Sequence, residues 1–299
     1  MVLAHAGIGA GTLSEVLGAW TWEPTALITV AVAVVLYTVG MARSAGRSRL
    51  FPLWRRLSFY SGVSIVFLAL ISPIDALTDH LFFMHMVQHM MLTMAAAPLI
   101  MLGIPIVPMM RGLPRSFRRG VVGPIARNRA VRRVFSWLLM GRVAFVAFFG
   151  AMWLWHIPFF YNLALTNELV HIVEHATFML TAVLYWGAVI DQVPFRARMS
   201  HGARILYLLG SGTPSGTLGA FLTYSPSVWY SFYEQGSTRL WGFTAILDQN
   251  MSGLIMWGHS WMMFIGAAAV VFFIMMSEDE RETRAREAEY NARAASSTP

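Results

Sequence analysis

Seven apolar stretches alternate with polar connections along the chain, at about residues 25–41, 57–71, 80–102, 143–155, 169–190, 204–222 and 254–276. Several approach the ~20 apolar residues that a helix needs to cross a bilayer. Inside lipid the backbone must satisfy its own hydrogen bonds, and a helix does so within one segment. The pattern therefore predicts an all-α, polytopic integral membrane protein built as a bundle of seven transmembrane helices. The fourth stretch must reach back towards Phe135 to cross fully. Pro98 should bend the third near its far end, because proline lacks the N–H that the helix needs. In the sixth, Gly210, Gly212, Gly216 and Gly219 allow close helix approach, and Pro214 suggests a kink. Ala245 to Gly253 reads as a short interfacial helix ahead of the seventh.

Charge orients these spans. All 22 basic residues are arginine, and none is lysine. When the seven spans alternate direction, 17 arginines fall in or beside the loops of one side. Four more lie in the tail, and only Arg239 lies opposite. The positive-inside rule then places the N-terminus outside and the C-terminus in the cytoplasm. Residues 1–24 form an external segment, residues 25–276 the seven-helix transmembrane domain, and residues 277–299 a charged cytoplasmic tail that extends the last helix into water. The N-terminal segment has no basic region ahead of its first apolar run, so it reads as retained rather than as a signal peptide.

Composition narrows the chemistry. Only 12% of residues are charged, against about 25% in soluble domains. With no cysteine, disulfides, iron–sulfur clusters and thiolate sites are excluded. With no lysine, so is a retinal Schiff base. The net charge of +7 would suggest nucleic acid in a soluble chain, but arginines in short loops between spans are a topology signal, so no nucleic-acid partner is expected. The run from Arg111 to Arg133 reads as an anchor at the anionic headgroups of the lipid bilayer.

Histidine takes the side that arginine avoids. Eight of nine histidines fall outside or in the outer half of a span; His201 is the exception. His85 and His89 are four apart, hence stacked on one helix face, and His171 and His175 repeat the spacing around Glu174. An ionisable group in a lipid-spanning helix is costly and by default a functional candidate. Two such pairs, with His259 from a third helix, can surround one or two metal ions. Met84, Met86, Met90, Met91 and Met94 crowd the first pair, and imidazole with thioether suits copper, especially Cu(I). Asp75, Asp79 and Asp248 lie at similar depth and can ligate or orient an imidazole. Plainer readings stand beside these. His5, His80 and His156 also read as interfacial hydrogen-bonding residues, and methionines in membrane helices mostly pack. Trp153, Trp155, Phe159, Phe160 and Tyr161 read as an interfacial aromatic belt.

Four blocks in order carry a family resemblance: HMVQH (His85 to His89) with AAPLIMLGIP (Ala96 to Pro105), WLWHIPFFYNLAL (Trp153 to Leu165), HIVEH (His171 to His175) and LDQNMSGLIMW (Leu247 to Trp257). The chain resembles the CtaG-like membrane proteins, assembly factors of the caa-type cytochrome c oxidases, over roughly residues 25 to 276. The resemblance implies a non-enzymatic role in the bacterial plasma membrane. It also implies cytochrome c oxidase subunits as partners, with copper handled for the oxidase metal centres. Carried onto this chain, it implies copper contact by His85, His89, His171, His175 and His259, with His156, Glu174 and Asp248 in support; Asp75 and Met84 join them as supports on their own chemistry and position. A soluble oxidase copper chaperone that shares the CtaG name uses cysteines, so this chain is not of that kind.

Three rivals remain at the level of sequence. His171-x-x-Glu174-His175 matches the H-x-x-E-H spacing of inverted zinc peptidases, with glutamate as the base. Facing histidines can also ligate haem in a membrane electron carrier. A copper permease would need polar or methionine sites through the inner half as well.

Overall fold

The computed structural model describes residues 12–44, 51–191, 199–235 and 240–296. His5 and Arg239 lie outside the described residues. Helices and their connections account for everything described, and no strand occurs among these residues.

A capping box at Thr12 and Glu15 starts α1 (Leu13–Gly18), which the apolar pattern did not signal. Pro24 at the first helical position, with the Glu23 carboxylate receiving Ala26 N–H, starts α2 (Pro24–Ala42). Next come α3 (Leu53–Ile71), α4 (Pro73–Thr78), α5 (Phe82–Leu102) and α6 (Ile106–Gly112). Short helical turns at Arg115–Phe117, Arg118–Val122 and Gly123–Arg127 lead to α7 (Arg129–Leu138) and α8 (Gly141–Trp155). The remainder is α9 (Pro158–Thr166), α10 (Glu168–Val189), α11 (His201–Tyr224), α12 (Ser231–Gln235) and the long α13 (Ala245–Ser296).

Five helices are long and apolar enough to cross a membrane: α2, α3, α5, α10 and α13. Two expected spans differ for physical reasons. α8 has only 15 residues, and the chain does not continue straight back to Phe135 but turns by 70° into α7. α7 is exposed along most of its length, with Arg129, Arg132 and Arg133 on one side and Val131, Val134 and Phe135 on the other. That is the pattern of a helix lying in an interface. α11 is long enough, but its glycine-, serine- and threonine-rich middle makes it less apolar than the five. The small residues let Trp261 and Trp257 of α13 pack against its backbone at Gly212, Gly216 and Gly219.

Ala245 to Gly253 is not a separate interfacial helix but the first turns of α13. A stripe at four-residue intervals (Asp248, Ser252, Met256, Ser260 and Phe264) is completely buried there. The same helix continues through the charged tail to Ser296, braced by Arg–Glu pairs four apart such as Arg286 with Glu282.

α5 is the most enclosed of the five long helices, packed by α3, α4, α10 and α13. Its middle widens into a π-helical turn at Met91–Ala96, immediately before Pro98. Proline donates no hydrogen bond and collides with the carbonyl four residues earlier, and the wider turn accommodates both effects. The Thr93 carbonyl within that turn accepts from Trp186 Nε1 of α10 at 2.9 Å.

Candidate metal centre

α5 begins without a capping side chain of its own. Asp248 of α13, 0% exposed, supplies the cap from outside the helix: its two carboxylate oxygens accept from the N–H groups of Phe82 at 2.8 Å and Phe83 at 2.9 Å. The first turns of α5 are thereby held to α13, and His85 lies one turn in. Gln88, one residue before His89, is buried and donates to the Ala69 carbonyl at 2.8 Å and to Asp75 at 2.7 Å. Asp75 also accepts from Thr21 at 2.7 Å. Backbone and side chain on both flanks therefore fix which way the histidine face of α5 points.

That face meets α10. His85 Nε2 and His89 Nε2 are 3.0 Å apart. The His171 ring lies 5.5 Å from that of His85, and the His175 ring lies 5.3 Å from that of His89. Glu174 Oε2 is 4.0 Å from His85 Nε2. Two sets of three side chains, His85/His171/His175 and His85/His89/Glu174, each bring their ligand atoms within 4.8 Å of one another. His85, His89 and Glu174 are buried, whereas His171 and His175 are half-buried. Phe178 closes the site below His89, and Tyr161 and Tyr233 stand against His85.

Proton placement can be read from the partners. The Tyr233 hydroxyl is buried, and burial, with Asp248 and Asp79 adding to it, holds it well above the usual phenol range, so it keeps its proton. It donates that proton to the Thr78 carbonyl at 2.7 Å, so toward His85 Nδ1, 3.4 Å away, it can only accept. His85 then carries its proton on Nδ1, leaving the Nε2 lone pair facing His89. Two imidazole nitrogens 3.0 Å apart need a proton or a cation between them. Both Glu174 oxygens, His89 Nδ1 and His175 Nε2 are buried with no hydrogen-bond partner. A buried carboxylate so placed is costly unless a cation or proton compensates it. Imidazole nitrogens bind such an ion at about 2.0–2.1 Å, and the 3.0 Å gap fits one shared ion. This donor set suits copper or zinc.

Other sequence candidates are placed elsewhere. His259 is exposed, because Ser260, one residue and ~100° further around the helix, takes the inward position and donates to Met90 Sδ at 3.7 Å. Met84 packs instead with Val16, Leu77, Leu81 and Leu240. Met86, Met90 and Met94 are buried in the main apolar core. Asp75 and Asp248 act on α5 through Gln88 and the backbone, and neither belongs to either ligand set. His156 donates Nδ1–H to the Met152 carbonyl at 2.7 Å, and its buried Nε2 is unpartnered, yet it belongs to neither set. Tyr161 and Trp155 are buried rather than part of an interfacial belt, whereas Phe159 is exposed as expected. Tyr161 and Tyr233 are the neighbours that sequence reasoning missed as parts of the site. Their aromatic context was visible, but nothing in it pointed to His85.

The fold and the cluster define a polytopic helical membrane protein with a largely buried cluster of four histidines and one glutamate. The chain belongs to the cytochrome c oxidase caa3 assembly factor family (Caa3_CtaG), whose profile matches residues 35–278. It is similar to uncharacterized proteins of Mycobacterium bovis and Mycobacterium tuberculosis, each 25% identical over 256 residues, which is 82% of this chain and 38% of the relative. An uncharacterized protein of Mycobacterium leprae is 23% identical over 249 residues, covering 80% of this chain and 36% of the relative. The chain thus spans less than two-fifths of the length of these relatives. No solved structure matches it.

Proposed function

We propose that this protein takes up copper, as Cu(I), at the cluster of His85, His89, His171, Glu174 and His175 and passes it to cytochrome c oxidase subunits during oxidase maturation. The observation that carries the reading is the 3.0 Å contact of His85 Nε2 with His89 Nε2 beside the unpartnered Glu174 carboxylate. Copper here is cargo, not a resident cofactor. Imidazoles hold Cu(I) without thiolates, so a partner with a softer site can extract it. The reading includes seven spans in the bacterial plasma membrane, with α8 and α11 joining the five more apolar helices. The N-terminus is outside, and the arginine-rich connections and the tail are cytoplasmic. The starts of α5, α10 and α13 then lie at the outer face, where copper arrives.

Elemental analysis of detergent-purified protein after anaerobic Cu(I) loading and desalting, beside His85→Ala/His89→Ala, is the test. Retained copper that is lost in the double variant is expected, and copper absent from both would overturn the reading. The convergence of His85, His171 and His175 beside Glu174 favours a second reading, a hydrolytic zinc site with three imidazole ligands and a glutamate base. Zinc-dependent peptide cleavage abolished by Glu174→Gln would select it.

A further inference from the structure

The cluster holds two donor sets that share one residue, and they differ in access and in charge. His85, His171 and His175 form a neutral set whose α10 members are half-buried. His85, His89 and Glu174 form a set with a carboxylate, and its other two members are 2% and 1% exposed. The second set therefore offers a cation stronger compensation. The first, whose rings are half-buried although their Nε2 atoms are covered, lies nearer the surface and offers the shorter way in. The distances between the sets are short: the His85 ring lies 4.3 Å from that of His89 and 6.3 Å from that of His175. A neutral imidazole has one lone-pair nitrogen, so His85 serves one ion at a time.

Resting on the copper reading above, we infer that His85 is a pivot between a capture set (His85, His171, His175) and a holding set (His85, His89, Glu174). An ion taken up by the half-buried pair moves inward by exchanging His171 and His175 for His89 and Glu174 while His85 stays bound. One ion is held per chain at rest, in the holding set. Release follows the same route in reverse, because Tyr161 and Tyr233 pack against His85 and Phe82 packs against both of them, leaving α10 as the way out.

The two sets separate in kinetics. Removing the capture set slows uptake and release together and leaves affinity unchanged, since it lies on the path but not at the resting position. Removing the holding set leaves uptake alone and speeds release. The test follows Cu(I) transfer from a weak chromogenic chelator to detergent-purified full-length protein, then back to an excess of strong chelator. The variants are His171→Gln/His175→Gln, His89→Gln/Glu174→Gln and His85→Gln, with circular dichroism and gel filtration confirming that each is folded. Wild type should hold one copper. The first variant should load and unload about tenfold more slowly at equal affinity, and the second should load normally and unload about tenfold faster. His85→Gln should fail in both. Wild-type loading or unloading in the first variant, wild-type unloading in the second, or weakened affinity in the first would overturn the pivot while leaving the copper reading standing. A wild type that retains no copper would remove both.

Discussion

Replacing Asp248 should loosen the histidine site from a distance. The residue belongs to neither ligand set, but its carboxylate caps the two N–H groups of Phe82 and Phe83, where α5 has no capping side chain of its own. Each hydrogen bond to a buried carboxylate contributes about 1.5–3 kcal/mol, giving roughly 3–6 kcal/mol for the pair before offsets. Part is returned because the variant no longer buries a carboxylate, and ordinary N-cap deletions cost about 0.5–2 kcal/mol. Asp248→Ala should therefore destabilise the protein by about 3 kcal/mol. Asp248→Asn should cost about half of that, because its amide keeps one acceptor and turns one donor toward an N–H. Unfolding by denaturing detergent in mixed micelles, followed by circular dichroism, measures both. The first turn of α5 positions His85, so copper affinity should fall by about tenfold or more in Asp248→Ala. An alanine variant within about 0.5 kcal/mol of wild type would refute the capping argument.

Three other substitutions probe separate features. His259→Ala should leave copper content unchanged, because its side chain is exposed and Ser260 faces inward; a loss in elemental analysis would place His259 in the site. Tyr233→Phe removes the bonds to the Thr78 carbonyl and to His85 Nδ1, which should cost about 1 kcal/mol and show as faster copper release to a chelator. Gly40→Ala should cost about 1–3 kcal/mol in the same detergent titration, since a Cβ there would lie 1.8 Å from the Pro108 carbonyl oxygen and force α2 away from α6.

Much of this arrangement was legible in the sequence. Two histidine pairs at four-residue spacing, each at the start of an apolar helix, imply two polar faces at one depth, and in the structure those faces meet. Glu174 was visible as part of the same face. The failures come from helical phase and from helix order around the bundle, which one chain's pattern does not encode. His259 has the right depth and the wrong phase, because α13 buries the stripe through Asp248, Ser252, Met256, Ser260 and Phe264 instead. Met84 lies one residue from His85 and so faces α1 and the Leu240 connection. Asp75 looked free to serve an imidazole, but Gln88 and Thr21 engage its oxygens. The 70° turn between α7 and α8 falls at Leu139 and Met140, just ahead of Gly141, and only the length needed for a full crossing extended the fourth stretch back across it. Tyr161 and Tyr233 reach His85 only through tertiary packing.

The most direct test of the central claim is the copper content of the oxidase itself. Cytochrome c oxidase would be purified from cells in which the only copy of this protein carries His85→Ala/His89→Ala, and from cells carrying Asp248→Asn as a milder perturbation. Oxidase short of copper is expected in the double variant, with an intermediate deficit in Asp248→Asn and restoration by added copper in both. Fully metallated oxidase in the double variant, with the variant protein present in the membrane at wild-type levels, would contradict the central claim.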